Sequence, residues 1–114
     1  MQPRDWKVRI EDILDSVAAI QDYIGETALE DFVADRRTVQ EVERNYEIIG
    51  EAARYVPPEV QTRYPQVPWA RMRGMRNLVA HQYSAVVPAV LWETARGDLP
   101  GLVPLLREIL EKEP

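Results

Sequence analysis

The stretch that decides the fold is residues 6–24, which read WKVRIEDILDSVAAIQDYI. Its large apolar side chains recur in alternating steps of four and three: Trp6, Ile10, Ile13, Val17, Ile20 and Ile24. This spacing places them on one face of an α-helix, whereas a half-buried strand would need an apolar residue at every second position. Gly25 follows where a left-handed helix cap belongs. The pattern therefore predicts a long first helix that ends at Ile24.

A second apolar seam with the same spacing comprises Val39, Val42, Tyr46, Ile49, Ala53 and Val56. Thr38 and Glu41 have the form of a capping box, which predicts that this second helix begins at Thr38. Pro57 and Pro58 end it, because a proline cannot donate a hydrogen bond to the preceding turn. We expect both seams to build the core of this chain, although they could also serve a partner chain.

Proline and glycine positions predict the remaining helices. They are a short helix over residues 59–64, a third long helix over residues 69–82, a helix from Pro88 to Gly97, and a last helix capped by Asp98. Residues 25–37 are expected to be a connection with one buried anchor, Phe32. Strand alternation, repeats and flexible linkers are absent from the sequence. It therefore predicts one domain, residues 1–114, that is all-α: an up-and-down four-helix bundle with short additional helices.

Composition excludes several classes of protein. The chain has 114 residues, of which 46% are hydrophobic and 29% charged, as in ordinary globular domains. It contains no cysteine, which rules out disulfide scaffolds, thiol nucleophiles and cysteine-ligated metals. Its longest apolar run, residues 85–92, falls well short of the roughly 20 residues that span a bilayer. Because no basic-then-apolar leader opens the sequence, we expect a cytoplasmic protein without a membrane partner.

Charge is distributed unevenly along the chain. The net charge is −5, yet no acidic residue lies between Glu59 and Glu93. This acid-free window has a balance of +4 against −9 for the remainder, and its four cations are Arg63, Arg71, Arg73 and Arg76. Arginine forms forked hydrogen bonds to phosphate, which makes Arg71 and Arg73 candidate RNA contacts. Genome composition is the other interpretation of the general excess of arginine over lysine.

His81 is the only histidine, and it lies at the end of the predicted third helix. On an ideal helix Arg73, Asn77 and His81 share one face, and the long side chain of Arg76 can curve toward the imidazole. A histidine titrates where proton transfer is efficient, and an arginine can neutralise the charge that develops on a phosphate. This set suits RNA cleavage by the substrate's own 2′-hydroxyl, a reaction that requires neither a metal nor a cofactor.

One histidine per chain is one too few for a reaction that needs both a base and an acid. A two-fold dimer would bring two His81 and two Arg76 side chains into one cleft. The sequence therefore predicts a homodimer with a composite site.

Arg76-Asn77-Leu78-Val79-Ala80-His81-Gln82-Tyr83 resembles the R-x4-H-x-Y motif of the HEPN-domain ribonucleases. More specifically, it resembles the HepT-like toxins that are paired with minimal nucleotidyltransferase antitoxins of the MntA type. Further stretches look like the same family in the same order, so that the resemblance covers nearly the whole chain: residues 31–37, 47–53, 64–69 and 92–100.

This resemblance implies an all-helical homodimer that is a metal-independent endoribonuclease toxin, with tRNA as the expected target class. Arg76 and His81 would be catalytic, and Asn77 would support them. Tyr83 resembles the site at which the cognate nucleotidyltransferase attaches AMP. The added charge and bulk beside the cleft would then silence the toxin.

Two other functions remain open at this point. The chain could be a non-catalytic helical subunit that binds a nucleotidyltransferase through its arginines. A histidine phosphotransfer domain is disfavoured, because no lysine lies between Lys7 and Lys112 to stabilise phosphohistidine. Glu47 and Glu51 are one turn apart, which favours a solvated or salt-bridged face over a metal site.

Overall fold

The computed structural model describes residues 5–79 and 86–114. This part of the chain contains no strand, and it is all-α as predicted. Its helices are α1 (Asp5–Ile24), α2 (Leu29–Ala34), α3 (Arg36–Arg54), α4 (Pro58–Arg63), α5 (Trp69–Gly74), α6 (Val86–Gly97) and α7 (Leu99–Lys112), with a 3-10 turn at Met75–Val79. Across these described ranges, no helix combines the length and apolarity needed to cross a bilayer.

The two apolar seams form the centre of the core. All twelve of their side chains are buried, and α1 packs along α3 through them. Leu102, Leu106 and Ile109 of α7 are also buried, and α7 packs on α1. The 3-10 turn and α5 pack on α3. Burial of apolar surface stabilises this arrangement, and the prediction that the seams build this chain's own core is confirmed.

The start of α3 differs from the prediction. The helix begins at Arg36, and its N-cap is Asp35, whose carboxylate accepts hydrogen bonds from the Thr38 amide at 3.2 Å and the Thr38 hydroxyl at 2.7 Å. Thr38 is therefore a donor to the cap and not the cap itself. An aspartate three residues earlier satisfies the first-turn amide, so the helix can start there. The two hydrogen bonds from Thr38 hold the pKa of Asp35 below its usual range.

Other helix ends show where local signals hold and where they fail. Gly25 has φ of +47° and its amide donates to the Gln21 carbonyl at 2.8 Å, which confirms the left-handed cap. The connection after it contains the short helix α2 around the buried Phe32. Asp98 precedes α7, but its side chain caps nothing and accepts a hydrogen bond from Arg71 at 2.7 Å instead.

The predicted third long helix is shorter than expected. Its α-helical part ends at Gly74, and a 3-10 turn follows over Met75–Val79. Because a 3-10 turn aligns residues three apart, the face predicted for Arg73 and Asn77 from a spacing of four is not kept. Among the described atoms none lies within 4 Å of a Cβ built on Gly74, so close packing does not explain this glycine. Its poor helix propensity fits a break in the α-helix here.

Replacing Gly101 by alanine is expected to raise the free energy of unfolding by about 0.5–1 kcal/mol. Gly101 lies inside α7, and no described atom comes within 4 Å of its ideal Cβ. Urea unfolding would measure the effect. Gly25→Ala is the matched opposite, since φ of +47° disfavours any side chain. Equal effects from the two replacements would contradict the prediction.

A polar clamp holds the C-terminal end of α7. The Glu113 carboxylate accepts hydrogen bonds from Arg63 Nη2 at 2.5 Å and Nε at 3.1 Å, and from the Tyr64 hydroxyl at 2.8 Å. Lys7 Nζ donates to the Glu113 carbonyl at 3.0 Å. The bonds from Arg63 and then Tyr64 lower the pKa of Glu113. The clamp thereby ties the end of α7 to α4 and to α1.

The clamp predicts a specific dependence of stability on pH. A carboxyl group whose pKa is lower in the folded state stabilises the fold above its unfolded pKa of about 4.3, and this contribution disappears as the pH falls through the folded value. We therefore expect Glu113→Gln to lower the melting temperature at neutral pH and to have progressively less effect in acid. Circular dichroism melts of both chains from about pH 7 to about pH 2.5 would test this. A difference that stays constant with pH would contradict it.

Candidate functional site

The predicted site residues divide into two groups. Arg71 and Arg73 lie on α5, and Arg76 and Asn77 lie on the 3-10 turn that follows it; all four are exposed. His81 and Tyr83 lie outside the residues that the structure describes. The structure therefore describes the geometry of the candidate site for Arg71, Arg73, Arg76 and Asn77.

A glycine on α3 sets the position of the Arg76 backbone. Gly50 is buried where the 3-10 turn crosses α3, and a Cβ on it would lie 2.7 Å from the Arg76 amide nitrogen and 2.8 Å from the Arg76 Cβ. The Arg73 carbonyl oxygen would be 3.1 Å away. Only a hydrogen atom fits at this contact. This close packing places Arg76 directly against α3.

The residue after Gly50 holds the other end of Arg76. Arg76 Nη1 donates to Glu51 Oε1 at 3.1 Å, and the same oxygen accepts from Arg54 Nη1 at 3.2 Å. The Arg76 side chain is 51% exposed. A guanidinium group has five N–H donors, so Arg76 has donors beyond the one that Glu51 binds. The arrangement presents an oriented cation at the surface, suited to an anionic ester.

The window that lacks acids in the sequence does not lack them in space. Helix packing brings Glu113 to Arg63 at 2.5 Å, Asp98 to Arg71 at 2.7 Å and Glu51 to Arg76 at 3.1 Å. Arg73 Nη1 donates to the Gln61 side-chain carbonyl at 2.7 Å. The ion pairs of Arg71 and Arg76 are exposed on both sides, whereas the Glu113 side chain that pairs with Arg63 is only 12% exposed. Exposed ion pairs contribute only about 0–1 kcal/mol each. A phosphate group can therefore compete for these two guanidinium groups.

Sequence reasoning missed the two acids that face these exposed arginines. Glu51 was expected on a solvated or salt-bridged face, and it does form salt bridges, but its partner Arg76 was not foreseen. Asp98 was expected to cap a helix. A glycine inside a helical pattern often marks the close approach of another element, so Gly50 was the available signal that Glu51 borders a contact. Within the described ranges, no three acidic or histidine side chains form a group that could hold a metal ion.

Two tryptophans, Trp69 and Trp92, are part of the packing. Trp69 is buried, and its Nε1 donates to the Tyr64 carbonyl at 3.0 Å. Trp92 is partly buried, and its Nε1 donates to the Thr27 carbonyl at 2.9 Å. Of the two, Trp69 lies on α5, the helix that carries Arg71 and Arg73.

Comparison with known proteins adds independent information. Residues 13–109 match the family model described as "Ribonuclease HepT-like". A protein of Thermococcus cleftensis named "Probable ribonuclease HepT" is 37% identical over 87% of this chain and 90% of its own length.

Two further relatives are each named as a "Putative RNase". That of Caldanaerobacter subterraneus subsp. tengcongensis is 35% identical over 91% of this chain and 93% of its own. The relative from Methanocaldococcus jannaschii is 33% identical over 90% of this chain and 94% of its own length. No solved structure shows a significant match to the chain.

Proposed function

We propose a reaction, an assembly and a mode of regulation for this chain, which belongs to the HepT-like ribonuclease family. It is a ribonuclease with a toxin-like role. The proposed reaction is metal-independent endonucleolytic cleavage of RNA, with tRNA as the target class. Arg76 and His81 are the proposed catalytic residues, Asn77 supports them, and Arg71 and Arg73 bind RNA. The observation that carries this proposal is the exposed guanidinium of Arg76, which Gly50 and Glu51 of α3 hold in place. Arg76 lies five residues before the only histidine of the sequence.

The proposed chemistry needs only side chains and RNA. One His81 imidazole accepts the proton of a 2′-hydroxyl, whose oxygen attacks the adjacent phosphorus. The bond to the 5′-oxygen breaks, and an imidazolium returns a proton to that oxygen. The products are a 2′,3′-cyclic phosphate and a 5′-hydroxyl end. Arg76 stabilises the negative charge that develops on the phosphoryl oxygens.

Incubation of the purified chain with tRNA in the presence of EDTA tests this reaction. We expect cleavage fragments that end in a 2′,3′-cyclic phosphate, because the mechanism uses no metal. Intact tRNA at every protein concentration would contradict the proposal and favour a non-catalytic subunit that binds a nucleotidyltransferase.

A homodimer with a composite cleft is the proposed assembly. One histidine per chain supplies either a base or an acid, and two-fold symmetry would supply both. Light scattering coupled to gel filtration should give twice the mass of one chain. A monomer that cleaves RNA at an undiminished rate on dilution would contradict the shared cleft.

Neutralisation by an antitoxin is the proposed regulation. Tyr83 lies two residues after His81, and AMP attached to its hydroxyl would place a phosphate beside the cleft that receives RNA. Incubation with ATP and a minimal nucleotidyltransferase of the MntA type should add AMP to Tyr83, as mapped by peptide mass spectrometry. Neutralisation without modification of Tyr83 would show that inhibition works by binding alone.

A further inference from the structure

We infer that Glu51 is a positioning residue for RNA cleavage, which holds the Arg76 guanidinium in the orientation that receives the phosphate. The inference rests on the proposed function and concerns a residue outside the R-x4-H-x-Y motif. Its basis is the hydrogen bond of 3.1 Å from Arg76 Nη1 to Glu51 Oε1.

Two consecutive residues of α3 fix Arg76 at both of its ends. Gly50 packs against the backbone and Cβ of Arg76, so the Arg76 Cα and Cβ cannot shift toward α3. Glu51 binds the guanidinium at the tip. An exposed arginine otherwise samples many rotamers, and each must be given up when it binds a phosphate. A guanidinium that is already oriented avoids this loss, which is the general advantage of a preorganised site.

The charges around Glu51 allow it to orient Arg76 without cancelling its positive charge. Glu51 Oε1 accepts from both Arg76 and Arg54, so the three side chains together carry a formal charge of +1. The Arg54 guanidinium lies 5.9 Å from the centre of the Tyr55 ring. Arg54 thus balances the carboxylate, and the remaining N–H donors of Arg76 can still bind an anion.

The same contact could instead shield Arg76, with Glu51 as an anion that RNA must displace. The two roles have opposite kinetic signatures. If Glu51 positions Arg76, its loss lowers kcat and leaves KM nearly unchanged, because the interaction matters in the transition state. If Glu51 shields Arg76, its loss lowers KM and leaves kcat unchanged.

Steady-state kinetics on a tRNA substrate with Glu51→Ala and Glu51→Gln separate these roles. We expect kcat to fall about tenfold for Glu51→Ala, as for one lost hydrogen bond to a charged group, with KM within about twofold. Glu51→Gln keeps a neutral acceptor and should recover part of the rate. A lower KM at unchanged kcat, or a kcat within twofold of the control described next, would overturn the inference.

Glu108→Ala is the matched control. Glu108 is 35% exposed and pairs with Lys112 on α7, whereas Glu51 is 39% exposed in its pair with Arg76. Both replacements remove one negative charge. Glu51→Ala removes the exposed ion pairs with Arg76 and Arg54, and Glu108→Ala removes the ion pair with Lys112, each of which contributes only about 0–1 kcal/mol. We expect similar melting temperatures for the two variants and a slower reaction only for Glu51→Ala. A fall in kcat that merely follows a loss of folded protein would also overturn the inference.

A second measurement does not depend on cleavage. The NMR signal of the Arg76 side-chain Nε–H group should shift, and its hydrogen exchange should accelerate, in Glu51→Ala but not in Glu108→Ala. An unchanged signal would overturn the inference even where the parent chain cleaves RNA. If the parent leaves RNA intact, the proposed function fails, and the NMR result alone decides whether Glu51 orients Arg76.

Discussion

Replacement of Arg76 by alanine is expected to lower kcat for RNA cleavage by about 10²- to 10³-fold, the usual cost of losing one preorganised donor to developing oxyanion charge. His81→Ala should cost about 10²- to 10⁴-fold, because it removes the proton transfer. Cleavage of tRNA by each purified variant, and relief of growth arrest on expression, would measure the losses. Full retention of both activities would contradict the assignment of these residues.

We expect the loss of the Arg76 side chain to change the free energy of unfolding very little. Its side chain is 51% exposed, and the Glu51 side chain with which it pairs is 39% exposed. Such a pair contributes at most about 1 kcal/mol to stability. Arg107→Ala, which removes an exposed arginine from α7, is the matched control and should retain activity. A large drop in the melting temperature of Arg76→Ala would mean that its slow reaction reflects unfolding.

Gly50→Ala is expected to damage both stability and activity. The new Cβ would lie 2.7 Å from the Arg76 amide nitrogen and 3.1 Å from the Arg73 carbonyl, and backbone atoms cannot rotate away. Overpacking of this kind costs about 1–3 kcal/mol, only partly offset by the better helix propensity of alanine. We expect the melting temperature to fall by roughly 5–10 °C. Thermal unfolding followed by circular dichroism would measure the change.

The effect of Gly50→Ala on cleavage should exceed its effect on folding. A shift of about 1 Å in a catalytic group can cost about 10²-fold in rate, and the clash pushes directly on Arg76. The rate is to be measured well below the melting temperature, where the variant is folded. Gly101→Ala is the control, because the new Cβ would lie in open space and is expected to stabilise the chain. Parental stability and activity in Gly50→Ala would show that α3 and the 3-10 turn do not need this close contact.

Much of the fold could be predicted because amphipathic helices carry their own signal. The seams predicted the two central helices, and all twelve seam residues are buried. Three further residues are buried on the same helices without belonging to a seam: Ser16, Gly50 and Ala52. Helix ends were less predictable, since each depends on which of several nearby groups forms the cap. Asp35 and Thr38 both suit an N-cap, and only the folded chain selects Asp35. The break at Gly74 likewise arises where packing on α3 meets weak helix propensity.

The candidate site was predictable only in part. The arginines and the histidine were evident as residue types near one another in the sequence, because the motif is local. The acids that pair with the arginines come from 25 to 50 positions away: Glu51, Asp98 and Glu113. Helical periodicity specifies which face of a helix a residue occupies, but not which other helix that face meets.

By itself, the sequence determined the helical class, the two central apolar seams and the identity of the motif residues, because periodicity and residue chemistry are properties of short segments. Only the tertiary structure decided that Gly50 and Glu51 fix Arg76 at both ends, because that contact exists only once α3 and the 3-10 turn are packed together. Short-range patterns cannot encode a distance between helices, which is set by the docking of whole apolar faces.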